Sequence, residues 1–201
     1  MALLKPSFGQ ELPLHVRTAG LWLRPLQMCD YNQWAGLRAL SREHLTKWEP
    51  AWGGDELSRN SFRRRVRHYA REASEDLGYA FAIFNAQGDT LLGGITLSNV
   101  SRGVSQAATL GYWMGKPFVR QGTMSRAVTA IFAFAYEELR LHRLQAVTMP
   151  DNAASVKLLE SRGFIREGFA RKYLKINGQW QDHVIFAMLA DDWRAHGEPR
   201  S

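Results

Sequence analysis

The order of segments between residues 79 and 139 restricts the folds open to this chain more than any other feature. Residues 79–84, 90–100 and 106–114 carry the apolar, β-branched and aromatic residues of strands, with Gln87-Gly88-Asp89 and Ser101-Arg102-Gly103 as turns between them. That pattern predicts an antiparallel meander. Directly after it, Met124, Ala127, Val128, Ile131, Phe132, Ala135 and Leu139 recur at the spacing of one helical face. A meander running straight into a long amphipathic helix needs a sheet for that helix to cover.

The flanking segments extend the same plan. Residues 21–26 read as a short strand, and Asp30 is placed to cap a helix through Leu40. Phe62, Val66 and Tyr69 give one apolar face to a helix that otherwise shows Arg59, Arg63, Arg64, Arg65, Arg67 and Arg71. Beyond Leu139, residues 143–148 return as a strand and residues 153–162 form a helix stopped by Gly163. Residues 164–174 and 179–190 form a hairpin across Asn177-Gly178. The alternation of strand and helix in this half indicates an α/β (α+β) domain with a mixed sheet. We expect one domain over residues 17–193, an N-terminal extension over 1–16 and a tail over 194–201.

Composition excludes several classes. Of 201 residues, 45% are hydrophobic and 22% charged, which is ordinary globular usage. No run approaches the roughly 18 apolar residues of a membrane span, and Lys5, Glu11, His15 and Arg17 interrupt the first segment where a signal peptide would be apolar. A cytoplasmic protein is expected. Cys29 is the single cysteine, and the six histidines form no metal-ligand pair at helical spacing, so no metal is assigned. The net charge of +7 favours acidic partners. Neither a G-x-S-x-G elbow nor a P-loop occurs.

Two motifs carry chemistry. Val119-Arg120-Gln121-Gly122-Thr123-Met124 joins a strand to the long helix, which sets backbone N–H groups at the positive end of a helix as an anion cradle. The plainer alternative is a tight turn that needs Gly122 for its geometry. Pro150-Asp151-Asn152-Ala153-Ala154-Ser155, followed by Leu158-Leu159 and Gly163-Phe164, opens the second helix. Together, in this order, the motifs resemble the GNAT acetyltransferases. His44-Leu45-Thr46-Lys47-Trp48-Glu49-Pro50, Leu97-Ser98-Asn99-Val100-Ser101-Arg102-Gly103, Leu110-Gly111-Tyr112-Trp113 and Tyr173-Leu174 ahead of Asn177-Gly178-Gln179-Trp180-Gln181-Asp182-His183 are similar to the RimJ-type ribosomal-protein-alanine N-acetyltransferases.

The resemblance implies a GNAT fold, with a mixed, mostly antiparallel twisted sheet of about six to seven strands flanked by helices. It implies transfer of the acetyl group of acetyl-CoA to the N-terminal α-amine, alanine, of a ribosomal protein. Ribosome association is a further expectation. It also implies a CoA site formed by Tyr112, Trp113, Met114, Val119, Arg120, Gln121, Gly122, Thr123, Met124, Ser125, Asn152 and Ser155. Val119 and Met124 depart from the usual Gln or Arg and small residue of that loop. Leu159 stands where many of these enzymes have a tyrosine acid, so Ser155 is expected to serve the leaving thiolate; the alternative is a helix-capping serine. Glu49 is expected to bind or deprotonate the amine, with Trp48, Tyr173 and Asp182 on the substrate side; surface exposure and ordinary hairpin pairing are the alternatives. Two other readings stay open, a small-amine acetyltransferase and an RNA-binding module that keeps the fold without catalysis.

Overall fold

In the computed structural model, residues 14–18 and 20–197 are described. They form one eight-stranded sheet in the order β1-β2-β3-β4-β5-β6-β8-β7. The strands are β1 (Val16–Thr18), β2 (Leu21–Arg24), β3 (Tyr79–Asn85), β4 (Leu91–Ser101), β5 (Ala107–Met114), β6 (Arg143–Thr148), β7 (Ile165–Ile176) and β8 (Gln179–Leu189). The helices are α1 (Tyr31–Leu40), α2 (Arg42–Leu45), α3 (Arg59–Ser74), α4 (Thr123–Ala133), α5 (Ala153–Ser161) and α6 (Ala190–Gly197). The sheet exceeds the expected count by β1, three residues whose mixed Val-Arg-Thr composition gives no alternation to read.

The pleat sorts side chains to two cores. Leu23, Phe81, Ile83, Ile95, Leu110 and Phe186 face α4 and α5, where they meet Ala127, Val128, Ile131 and Leu159. On the opposite face Ala82, Phe84 and Leu91 meet Trp34 of α1 and Phe62 of α3. α4, and α3 at Phe62, therefore bury part of the stripe that their periodicity marked.

Four expectations need correction. Asp30 sits at the first residue before α1, but its carboxylate does not cap it; it takes two bonds from the Arg24 guanidinium at 2.8 and 2.7 Å and one from the Gln27 N–H at 2.7 Å. A charge partner outcompetes a backbone donor there. The long helix also does not stay α to Leu139. Residues Phe134–Glu138 widen into a π-turn, in which the Leu139 N–H reaches back five residues to Phe134. The wider turn lets Phe134, Ala135, Tyr136 and Leu139 all be buried, with the Tyr136 hydroxyl donating to the Met188 carbonyl at 2.7 Å. The second strand of the hairpin ends at Leu189, and α6 continues to Gly197 where a tail from residue 194 was expected; Trp193 packs on Tyr136, which anchors it. The hairpin's first strand runs on to Ile176, so that Asn177 and Gly178, at φ of +44° and +81°, make the whole turn. Most of the expected N-terminal extension, and residues 198–201, lie outside the described residues.

One break in the sheet positions the site. β5 pairs with β4 along its whole length, but its parallel ladder with β6 covers only Ala107, Ala108 and Thr109 against Arg143, Leu144 and Gln145. From Leu110 onward the two strands part. On the β4 side the fit is close: a Cβ at Gly93 would lie 2.4 Å from the Trp113 carbonyl oxygen, and one at Gly94 would lie 2.4 Å from the Trp113 indole nitrogen. The glycine pair lets β4 lie against Trp113. Gly93→Ala meets backbone that cannot swing aside, so we expect a loss of about 1–3 kcal/mol in urea unfolding with little change in m-value.

Candidate active site

The gap between β5 and β6 opens at the carboxyl ends of two parallel strands, and each strand there runs into the N-terminus of a helix, α4 after β5 and α5 after β6. A crevice of this kind collects positive helix ends and unpaired strand N–H groups. The α4 end carries the cradle. Gly122 caps it at φ +70° and ψ 0°, and a Cβ built on Gly122 would meet nothing within 4 Å. The Gly122 N–H meets no acceptor among the described residues. Arg120 is also left-handed, at φ +61°, and Gln121 anchors the loop by donating from its amide to the Pro117 carbonyl at 3.0 Å. Val119 and Met124 pack against the core, so their departure from the usual motif leaves the backbone free. Thr123 is buried, and the Ser125 carbonyl accepts the Thr129 hydroxyl at 3.1 Å.

On the other wall, the Asn152 side chain caps α5 by accepting the Ser155 N–H at 3.2 Å. The Ser155 hydroxyl is thereby free of the capping role and lies 2.7 Å from the Tyr112 hydroxyl, spanning the gap from α5 to β5. Burial pushes the Tyr112 phenol up to about 12, against a smaller opposite pull from Ser155. It remains a neutral donor at physiological pH. Leu159 is core, and Met114 fills the face toward α4.

The far side of β5 borders a cavity of about 450 Å³ walled by Gly111, Tyr112 and Trp113, by Gly94 and Thr96 of β4, and by the segment Glu49, Pro50, Ala51 and Trp52. Arg38, 5% exposed, stands in its wall among the rings of Trp52, Trp113 and Trp34, at 4.5, 5.1 and 5.5 Å. Its guanidinium grips Glu49 at 3.2 and 2.7 Å, and Trp52 donates its indole N–H to the same carboxylate at 2.8 Å. Glu49, expected to bind or deprotonate the amine, is thus held by three donors. Trp48 does not line the cavity; Trp52 does. Glu56 and Arg65 complete the wall, paired at 2.6 Å.

Tyr173 and Asp182 lie on the β7–β8 hairpin. Asp182 accepts the Lys172 N–H at 2.7 Å in a bulge that sets residues 171–173 opposite it, and half-exposed Tyr173 stacks edge-on against His183. Neither lines the cavity. The hairpin tip does touch the cavity's other wall, since the Asn177 N–H donates to the Glu49 carbonyl at 3.0 Å. Arg38, Trp52, Glu56 and Arg65 escaped the sequence reading. The available signal was helical spacing: Arg38 follows Trp34, and Tyr69 follows Arg65, each by four, which puts both arginines on apolar faces.

The chain matches the acetyltransferase (GNAT) domain family over residues 20–165. It belongs to the GNAT acetyltransferases. It is 36% identical over 172 residues to a probable N-acetyltransferase of Bacillus subtilis, covering 86% of this chain and 95% of that one. It is 32% identical over 166 residues to the ribosomal protein uS5-alanine N-acetyltransferase of Escherichia coli, covering 82% and 86%. Among solved structures, the ribosomal-protein-S5-alanine acetyltransferase of Vibrio fischeri superposes with a TM-score of 0.82 at 28% identity, covering 89% of this chain and 98% of that one. The Mycobacterium smegmatis RimJ in complex with a CoA disulfide gives 0.81 at 28% identity, covering 91% and 93%. The protein is an acetyl-CoA-dependent N-acetyltransferase. The open space at Gly122, at the head of α4, has room for the CoA pyrophosphate: the N–H groups of residues 122 and 123 would hold it, and acetyl-CoA would bring the acetyl thioester. Among the described residues no cluster of His, Cys, Asp or Glu is arranged to hold a metal, and no helix is long and apolar enough to cross a membrane.

Two measurements test this site. Gly122→Trp fills the open space above the cradle and should weaken acetyl-CoA binding by calorimetry at least tenfold, whereas Gly122→Asn, which tolerates the left-handed backbone, should bind nearly as wild type. Tyr112 binds its proton more tightly folded than unfolded, so its contribution to stability is whole below pH 10 and is lost as pH rises toward 12. The difference in absorbance at 295 nm between wild type and Tyr112→Phe should accordingly show no phenolate from this residue at pH 10.

Proposed function

We propose that the enzyme acetylates the N-terminal α-amine of a ribosomal protein, alanine being the first choice of residue, in the cytoplasm. The observation that carries this reading is the Tyr112–Ser155 hydroxyl pair, which spans the strand gap beside a carboxylate-bearing cavity. Its relative in Escherichia coli is named for that reaction on uS5. In this scheme Val119 to Ser125, with Asn152, flank the CoA, and Tyr112, Trp113 and Met114 present the strand edge to the thioester. A β5 N–H in the parted stretch stabilises charge that develops on the carbonyl oxygen. Ser155 gives a proton to the departing sulfur and regains one from Tyr112, which recovers its own from solvent as the acetylated nitrogen releases its second proton there. Trp48 and Glu49 belong to the loop that bounds the acceptor side, with Tyr173 and Asp182 farther out along the hairpin.

A small-amine substrate is less well supported. Polycationic amines call for a net acidic pocket, and here Arg38 and Arg65 balance Glu49 and Glu56. Contact with the ribosome is supported by α3, whose Arg59, Arg63, Arg67 and Arg71 are exposed while Arg65 turns inward to Glu56. Turnover of an alanine-starting peptide against spermidine at equal concentration decides between the substrates. On the preferred acceptor, Ser155→Ala should lower kcat by about a hundredfold with KM little changed. An unchanged kcat sinks the role of Ser155.

A further inference from the structure

The cavity holds two carboxylates whose oxygens are used differently. Glu49 is occupied on both, by the two terminal nitrogens of Arg38 and by Trp52. Glu56, on the loop ahead of α3, uses only Oε1, which takes Arg65 at 2.6 Å and Arg38 at 3.6 Å; its Oε2 meets no donor among the described residues. The charged and titratable groups around Glu56 are Arg38 from α1, Arg65 and Tyr69 from α3, and Glu49 from the intervening loop, with Tyr112 of β5 in the same cavity wall. Arg65 is itself fixed, donating to the Tyr69 hydroxyl at 3.3 Å. A lone pair free of protein donors is what a proton acceptor needs, and only one of the two carboxylates leaves a whole oxygen available.

We propose that Glu56 accepts the proton of the incoming ammonium through Oε2, and that Glu49 is a positioning residue that holds Arg38 in place. The proposal rests on the amine-acetylation reading above. The ammonium loses one proton to the carboxylate, leaving a neutral amine and a carboxylic acid, and the acid returns that proton to solvent. Two guanidinium groups balance two carboxylates here, so an entering cation meets no net repulsion, and moving its proton onto Glu56 leaves the total charge of the cavity unchanged. Arg38, shared between the carboxylates, keeps Glu56 facing the cavity.

The test is the pH dependence of kcat/KM for wild type, Glu56→Gln, Glu56→Asp and Glu49→Gln on an alanine-starting peptide, with acetyl-CoA affinity and melting temperature measured on each. An α-amine has a reference pKa near 8, so a missing base matters less as pH rises. Glu56→Gln should lose about a hundredfold at pH 7 and less than about tenfold at pH 9, with acetyl-CoA affinity kept. Glu49→Gln should raise KM and keep the wild-type pH profile. If Glu56→Gln fails to fold, Glu56→Asp decides, with a smaller loss that also shrinks as pH rises. A loss at residue 56 that is constant with pH, a wild-type profile in Glu56→Gln, or a pH-dependent loss in Glu49→Gln overturns the proposal. Turnover of a small amine with none of any peptide overturns the substrate reading alone, and the same profiles recorded with that amine then decide Glu56.

Discussion

The crevice between α4 and α5 depends on how short the parallel ladder between β5 and β6 is. With three residue pairs joined and the rest of β5 parted from β6, the sheet stays continuous for packing yet leaves one strand edge unsatisfied in its middle. An unsatisfied edge inside a sheet would be costly without a partner, and here a substrate can supply it. The parting also brings two helix N-termini to one crevice, because the strands flanking it are parallel and each is followed by a helix. The β4–β5 ladder, close enough at Gly93 and Gly94 to exclude any side chain, keeps β5 from following β6 or drifting away.

The two sides of β5 do different work, and the pleat enforces the division. Tyr112 turns toward α5 and the crevice, where its phenol is held neutral by burial and joined to Ser155. Trp113, one residue on, belongs to the opposite face, against the buried Arg38. Successive residues thus face the two sides of one strand, Tyr112 the α5 crevice and Trp113 the Arg38 cavity. A buried guanidinium is expensive without partners, and Arg38 has two carboxylates and three indole rings. That cluster is preorganised before any ligand arrives.

Local rules made much of this legible. Asn177-Gly178 marked the hairpin turn, the strand-glycine-helix order placed the left-handed Gly122 at the head of α4, and helical periodicity found the faces of α3 and α4. What stayed hidden depends on pairings across long stretches of chain. Tyr112 and Ser155 are 43 residues apart, and no period links them. Glu49 could be placed on the acceptor loop but not bound to Arg38, because nothing in the sequence says which arginine turns inward. The π-turn was invisible for a related reason: α spacing accounts for the same apolar residues until a hydroxyl and a carbonyl on a distant strand demand otherwise.

The bond from the Asn177 N–H to the Glu49 carbonyl ties the tip of the longest hairpin to the loop that carries the cavity's carboxylates. Those segments lie more than a hundred residues apart in sequence, yet neither can move away without breaking that link. The exchange of the Asn177 amide with deuterated solvent therefore reports how often the loop around Glu49 lets go of the hairpin.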